Sequence, residues 1–227
     1  MGWRRATGAL VIFALALVAC SRGEPLPPPG LLLDRAGKAM TEVESLRFSL
    51  DVDGTLSGFP IRRASGVLNR QGEVSATVTL EQRENLIEYR FILVGGTAYL
   101  KGSTAGFQPL PPEVAGRIYD PSRLLDPQRG LASVLTEARG LRTEDTESIA
   151  GVPTYRLTAR IRTELLEGLS RLEPDSDEVT ATLWIARDGS RLVRARIPLR
   201  TAGDNEALIT LTFSRFNAPT DIKAPPL

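Results

Sequence analysis

Histidine is absent from this 227-residue chain, and cysteine occurs once, at Cys20. No internal disulfide can form. No zinc site of the His/Cys type can be assembled, and neither a Ser-His-Asp nor a Cys-His catalytic centre is available. Lysine is scarce as well, limited to Lys38, Lys101 and Lys223. Lysine-based covalent chemistry therefore has few candidates. The formal net charge of +1 gives no electrostatic footprint for nucleic acid. Glycine-rich phosphate loops of the G-x-G-x-x-G and Walker A types are missing, as is a G-x-S-x-G nucleophile elbow. No cofactor or metal is implied.

What is present begins at the N-terminus. Arg4 and Arg5 precede an almost wholly apolar run from Ala6 to Ala19. Its length suits the core of a signal peptide and is short for a bilayer span. The run ends in Leu17-Val18-Ala19-Cys20, the pattern of a bacterial lipobox. Small residues before the cysteine fit a signal peptidase, and the Cys20 thiol is then the expected site of diacylglyceryl attachment. Ala6-Thr7-Gly8 lacks the continuation of a twin-arginine signal, so the general secretory route is expected. Residues 20–30 follow as a lipidated cysteine and a tether. Its prolines at 25, 27, 28 and 29 favour extended polyproline II. The expected location is the extracytoplasmic face of the cell membrane, held by the lipid anchor.

Residues 31–227 read as a single domain. "LLLDRAGKAMTEVES" places Leu32, Ala36, Ala39, Met40 and Val43 at helical spacing. Strand patterns follow. Leu46, Phe48, Leu50 and Val52 alternate with polar residues, as do Val74, Ala76, Val78 and Leu80, and then Ile87, Tyr89, Phe91 and Leu93. Residues 61–70 form a further candidate strand. Gln71-Gly72, Gly95-Gly96 and Asp188-Gly189 are turn signals. Two Asp-Pro pairs, Asp120-Pro121 and Asp126-Pro127, read as helix starts, and Leu131, Val134, Leu135 and Ala138 continue a helical stripe. Leu165, Leu166, Leu169 and Leu172 suggest another helix, and Ile209, Leu211 and Phe213 mark a last strand. The fold class is α+β: about ten antiparallel strands with three or four helices. A sheet of that length must curl, split or close, and its apolar face needs the helices as cover.

Clustered carboxylates offer little chemistry. Asp175, Asp177 and Glu178 lack the glycine and distal glutamate of a calcium loop. Asp51 and Asp53 lie on the polar side of a strand. The apolar face therefore becomes the candidate site, either as a filled core or as a cavity that admits a lipid; alternation fits both.

Two stretches bear on that choice. "IYDPSRLLDPQRGLASVL" (118–135) and "ATLWIARDGSRLVRARI" (181–197), with the order of elements around them, resemble the actinobacterial lipoprotein family of LppX, LprA, LprF and LprG. The resemblance covers the whole mature body and includes the lipobox. It implies a half-barrel similar to the periplasmic lipoprotein carrier LolA: a strongly curved antiparallel sheet with helices packed on its concave side. It also implies a non-enzymatic role, binding the acyl chains of a lipid or glycolipid and carrying or presenting it in the cell envelope, with a membrane export partner. An envelope sensor of the same fold without cargo is the alternative. By alternation, the pocket wall falls to Phe48, Leu50, Val52, Val67, Val78, Leu80, Phe91, Leu93 and Leu100. The helical cover falls to Leu124, Leu131 and Leu135. The glycine- and proline-rich segment 101–116 is a candidate for the pocket mouth.

Overall fold

A computed structural model describes residues 25–57, 59–83, 85–111, 121–170, 175–201 and 205–227. Cys20 and the lipobox, Asp120, Leu172 and residues 112–116 of the candidate mouth lie outside these. Among the described residues, eleven strands form one antiparallel sheet. The first six are β1 (Ser45–Gly54), β2 (Ile61–Asn69), β3 (Val74–Gln82), β4 (Asn85–Val94), β5 (Thr97–Lys101) and β6 (Gln108–Pro109). The others are β7 (Arg139–Ile149), β8 (Val152–Arg162), β9 (Glu178–Ala186), β10 (Leu192–Thr201) and β11 (Asn205–Ser214). Among the described residues three α-helices accompany them: α1 (Pro29–Thr41), α2 (Leu131–Glu137) and α3 (Thr163–Ser170). A 3₁₀ turn spans Pro121–Leu125.

The strand order is β6-β5-β4-β3-β2-β1-β11-β10-β9-β8-β7. Two meanders are thus joined where the first strand meets the last, with Phe48 opposite Phe213 and Leu50 opposite Leu211. Both meanders turn tightly because their loops hold the residues those turns require. Gly95 and Gly96 have φ of 56° and 76°, the left-handed pair of a two-residue hairpin. Bulges at Ile61/Arg63, Leu192/Arg194 and twice along β7 add local bend to the normal twist. The result is a strongly curved open sheet, a half-barrel.

Side chains opposite one another across a sheet share a face. On the inner face of β8–β10, Leu157, Ala159, Ile161, Ala181, Leu183, Ile185, Ala195, Ile197 and Leu199 are all buried. They share one core with Leu32, Leu33, Ala36 and Met40 of α1 and with Leu131, Ala132, Val134 and Leu135 of α2. Gly37 explains how α1 and α2 come so close: a Cβ there would lie 2.4 Å from Cγ2 of Thr136. The same glycine weakens the helix by propensity, and the close crossing offsets that cost.

Several sequence expectations need correction. α1 ends at Thr41, so Val43 belongs to the approach to β1 and Ser45 opens the strand, both outside the helix. Asp126 does not cap a helix; its carboxylate accepts from the Gln128 and Arg129 backbone N–H groups within a turn, and α2 starts after Gly130. The helix that follows is seven residues long. The last element of the first meander, β6, and the long edge strand β7 were not visible as alternating patterns. Among the described residues no helix is long and apolar enough to cross a membrane.

Candidate functional site

The inner face of β1–β5 is built from four strands of period-two alternation and one short one. Its cross-strand rows can be followed residue by residue. Leu100, Phe91, Ala76, Gly66 and Phe48 lie in one row. Tyr89, Val78, Ala64 and Leu50 form the next. Leu93, Val74, Leu68 and Leu46 form a third. Ile87, Leu80 and Ile61 continue the face toward the far end. No charged side chain lies on these rows, and the phenol of Tyr89 is their one polar group. It accepts a hydrogen bond from Gln82 Nε2 at 3.4 Å. Its ring packs against Gly102, where a Cβ would lie 3.7 Å from Cε1.

Size varies along these rows in a useful way. Phe48 and Phe91 stand at either side of Gly66 and Ala76, and Ala64 sits beside them on the next row. Large side chains therefore flank a floor of small ones. Gly66 is fixed by backbone packing, since a Cβ there would meet the Ser75 carbonyl oxygen at 2.2 Å.

Exposure separates the two halves of the sheet. The inner face of β8–β10 is closed over Leu157, Ala159 and Ile161 and across β9 and β10, with Tyr155 at one end partly exposed. On the inner face of β1–β5, Phe48, Leu50, Val78, Leu80, Ile87, Leu93 and Leu100 remain partly exposed. Phe48, Leu50, Val78, Leu93 and Leu100 pack against the edge of the core without being enclosed by it. Val52 and Phe91 are more deeply buried. Leu124 in the 3₁₀ turn and Leu131 and Leu135 of α2 are buried in the same core. The structure thus brings together eleven of the twelve expected apolar residues on or over one concave surface. Val67 is the exception. It pairs with Arg47 and Ser75 and points to the convex face, while its neighbour Leu68 points inward. The sequence pattern was one residue out in β2 because the inward positions there include Ala64 and Gly66, too small to mark a face.

The cover and the rim are held by polar contacts outside the trough. Arg162 donates to Glu137 at 2.5 Å, joining the end of β8 to α2, and the Ser133 hydroxyl donates to the same carboxylate at 2.7 Å. These bonds, the serine's first, hold the Glu137 carboxyl below its ordinary range. Asp126 is lowered too, first by the Gln128 backbone N–H and then by the Arg129 side chain. At the opposite end, the Arg62 guanidinium binds the Gly54 carbonyl and the Glu81 carboxylate, tying the β1–β2 loop to the end of β3. That loop buries Leu56 in the core.

The carboxylates considered for chemistry are elsewhere. Asp51 is exposed on the convex face, 3.6 Å from Arg63 Nε, and Glu178 faces Arg160 at 3.5 Å. The convex face also carries a small second cluster: Ile149, Trp184, Ala186 and Val193. Trp184 Nε1 donates to Glu147 there at 2.8 Å, and Arg194 stands over its ring at 6.0 Å.

A family model described as LppX_LprAFG lipoprotein matches residues 28–222. The chain belongs to that family. Its relatives include the lipoarabinomannan carrier protein LprG of Mycolicibacterium hassiacum, 28% identical over 97% of this chain and 98% of that protein. The LprG of Mycobacterium leprae is 26% identical over 93% of this chain and 91% of its own length. The fold matches the crystal structure of LprF from Mycobacterium bovis with a TM-score of 0.75 at 22% identity, covering 89% of this chain and 99% of that one. LppX of Mycobacterium tuberculosis matches with a TM-score of 0.62 at 22% identity, covering 87% and 100%. Family membership agrees with the resemblance drawn from 118–135 and 181–197, and the two structures share the curved-sheet architecture.

Proposed function

We propose that this chain is a membrane-anchored lipoprotein that takes the acyl chains of a lipid into the concave trough of β1–β5 and carries or presents that lipid in the cell envelope. One observation carries the reading. Half of a continuous apolar concave face is sealed by helices, and the other half, equally apolar, stays partly open. Apolar surface left open on one side of a finished core favours an apolar occupant. Each acyl CH₂ moved from water into the trough contributes about 0.8 kcal/mol. Binding of this kind needs no catalytic group, in keeping with a chain that has no histidine. The carrier names of the LprG relatives support a glycolipid as the cargo class. Cys20 provides the anchor, and a membrane export partner would receive or supply the lipid.

The test is native mass spectrometry of residues 21–227 purified from an actinobacterial host. The expected spectrum contains protein with bound lipid, and Val78→Trp, which fills the trough floor, removes the bound mass while circular dichroism stays unchanged. Repeated lipid-free spectra of the unsubstituted protein, even after incubation with extracted envelope lipid, would refute the reading.

A further inference from the structure

Five residue steps separate Cys20 from Pro25, the first described residue. An extended chain spans at most about 3.5 Å per residue, so Pro25 lies within about 17 Å of Cys20. The chain is fixed to the body almost at once. Thr143 Oγ1 on β7 donates to the Pro27 carbonyl at 3.0 Å, and the Leu32 N–H donates to the Pro28 carbonyl as α1 opens. With Cys20 in a bilayer, the start of α1 and the middle of β7 are therefore held beside the lipid surface.

That part of the body exposes two leucines. Leu26 is 39% exposed and Leu31 is 43% exposed. In "LLLD", Leu32 and Leu33 enter the core while Leu31 points away from it. The charges around the pair are of both signs: Asp34 and Arg35 on α1, and Arg142, Glu144 and Asp145 on β7. With Glu144 paired to Arg156 at 3.5 Å, the net charge there is close to zero and neither drives nor opposes approach to a membrane, so the apolar pair decides. Its fit is to the boundary between headgroups and acyl chains.

We propose that Leu26 and Leu31 form a membrane-contact surface, inserted into the interfacial layer of the bilayer that holds the anchor. This rests on the reading of Cys20 as lipidated. Two leucines bind a bilayer weakly by themselves, but the anchor raises their effective concentration and makes weak insertion sufficient. The body then rests on the membrane along the start of α1.

The experiment uses the full protein isolated from membranes and reconstituted into vesicles of phosphatidylcholine and phosphatidylglycerol. Leu26→Cys, Leu31→Cys and Leu86→Cys are each labelled with an environment-sensitive thiol dye. Leu86 is a matched control, 65% exposed on β4 next to the β3–β4 turn. Acylated Cys20 does not react, so one label per chain is expected by mass. Shallow nitroxide-lipid quenching should be at least about twofold stronger at positions 26 and 31 than at 86. One label per chain with equal or stronger quenching at 86 would overturn the contact surface and leave the anchor standing. Two labels per chain would show a free Cys20 thiol and remove the anchor, and with it the contact surface.

Discussion

The sealed and open halves of the concave face make a quantitative contrast. Leu183 is 2% exposed, opposite Leu157 and next to Ala195, both buried. Leu183→Ala leaves a cavity that neighbouring strands cannot collapse into, because each is pinned by two ladders. The expected cost is about 3 kcal/mol, inside the range for buried leucine truncations. For a domain of this size that lowers Tm by about 6–12 °C. Leu93→Ala removes the same atoms from the partly open half, where Leu93 faces Val74 and Ala98. No closed cavity forms there, and the lost burial amounts to about 1 kcal/mol, or about 2–4 °C. The response to lipid should run the other way. Added acyl cargo raises the Tm of delipidated Leu183→Ala as it does that of the unsubstituted body, while the rise for Leu93→Ala is smaller. Calorimetry of delipidated residues 21–227, repeated with an excess of extracted envelope lipid, reads both quantities. Equal losses for Leu183→Ala and Leu93→Ala in the delipidated protein would mean that the first half is as filled as the second, and the reasoning from exposure would fail.

Other outcomes follow from single contacts. Gly66→Ala drives a methyl into the Ser75 carbonyl and should cost about 1–3 kcal/mol, whereas Gly106→Ala, with nothing within 4 Å of its added carbon, should be neutral in urea unfolding. Trp184→Phe removes the bond to Glu147 and should cost about 1 kcal/mol, read by far-ultraviolet circular dichroism. The carboxyls of Asp126 and Glu137 bind protons more weakly when folded than when unfolded. Their contribution is present above the ordinary carboxylate pKa and is lost as pH falls through their folded values, from about pH 5 downward. Asp126→Asn with Glu137→Gln should flatten that acid limb in a pH series of urea midpoints; an unchanged limb would assign it to other groups.

The legible parts of the fold were those with local signatures. β1, β3 and β4 alternate cleanly because one side faces a core and the other faces water. Glycine marked the hairpins, at Gly72, Gly95, Gly96 and Gly189, because the backbone there has positive φ. β7 was hidden for a physical reason. It is an edge strand, polar on nearly every position of "RTEDTES", and its bulges break what periodicity remains. β2 was half legible: its strand was visible, but Ala64 and Gly66 on the inner side carry too little apolar surface to outvote Val67. Asp126 shows a cap signature spent on a turn, because the same side-chain acceptor satisfies either geometry.

By itself the sequence determined the chemical class of the protein. No histidine and one cysteine exclude most catalytic and metal centres, and the lipobox with its proline tether specifies an anchored lipoprotein as the expectation. The alternation of the strands also determined which residues could build an apolar face. The tertiary structure decided the rest. The pairing of β1 with β11, which joins two meanders into one curved sheet, depends on residues some 160 positions apart and leaves no local trace. That joining, together with the docking of α1 across Gly37 onto α2, sets which part of the apolar face is sealed and which stays open. Alternation fixes only the direction in which a side chain points. Whether another layer covers it depends on where distant elements pack.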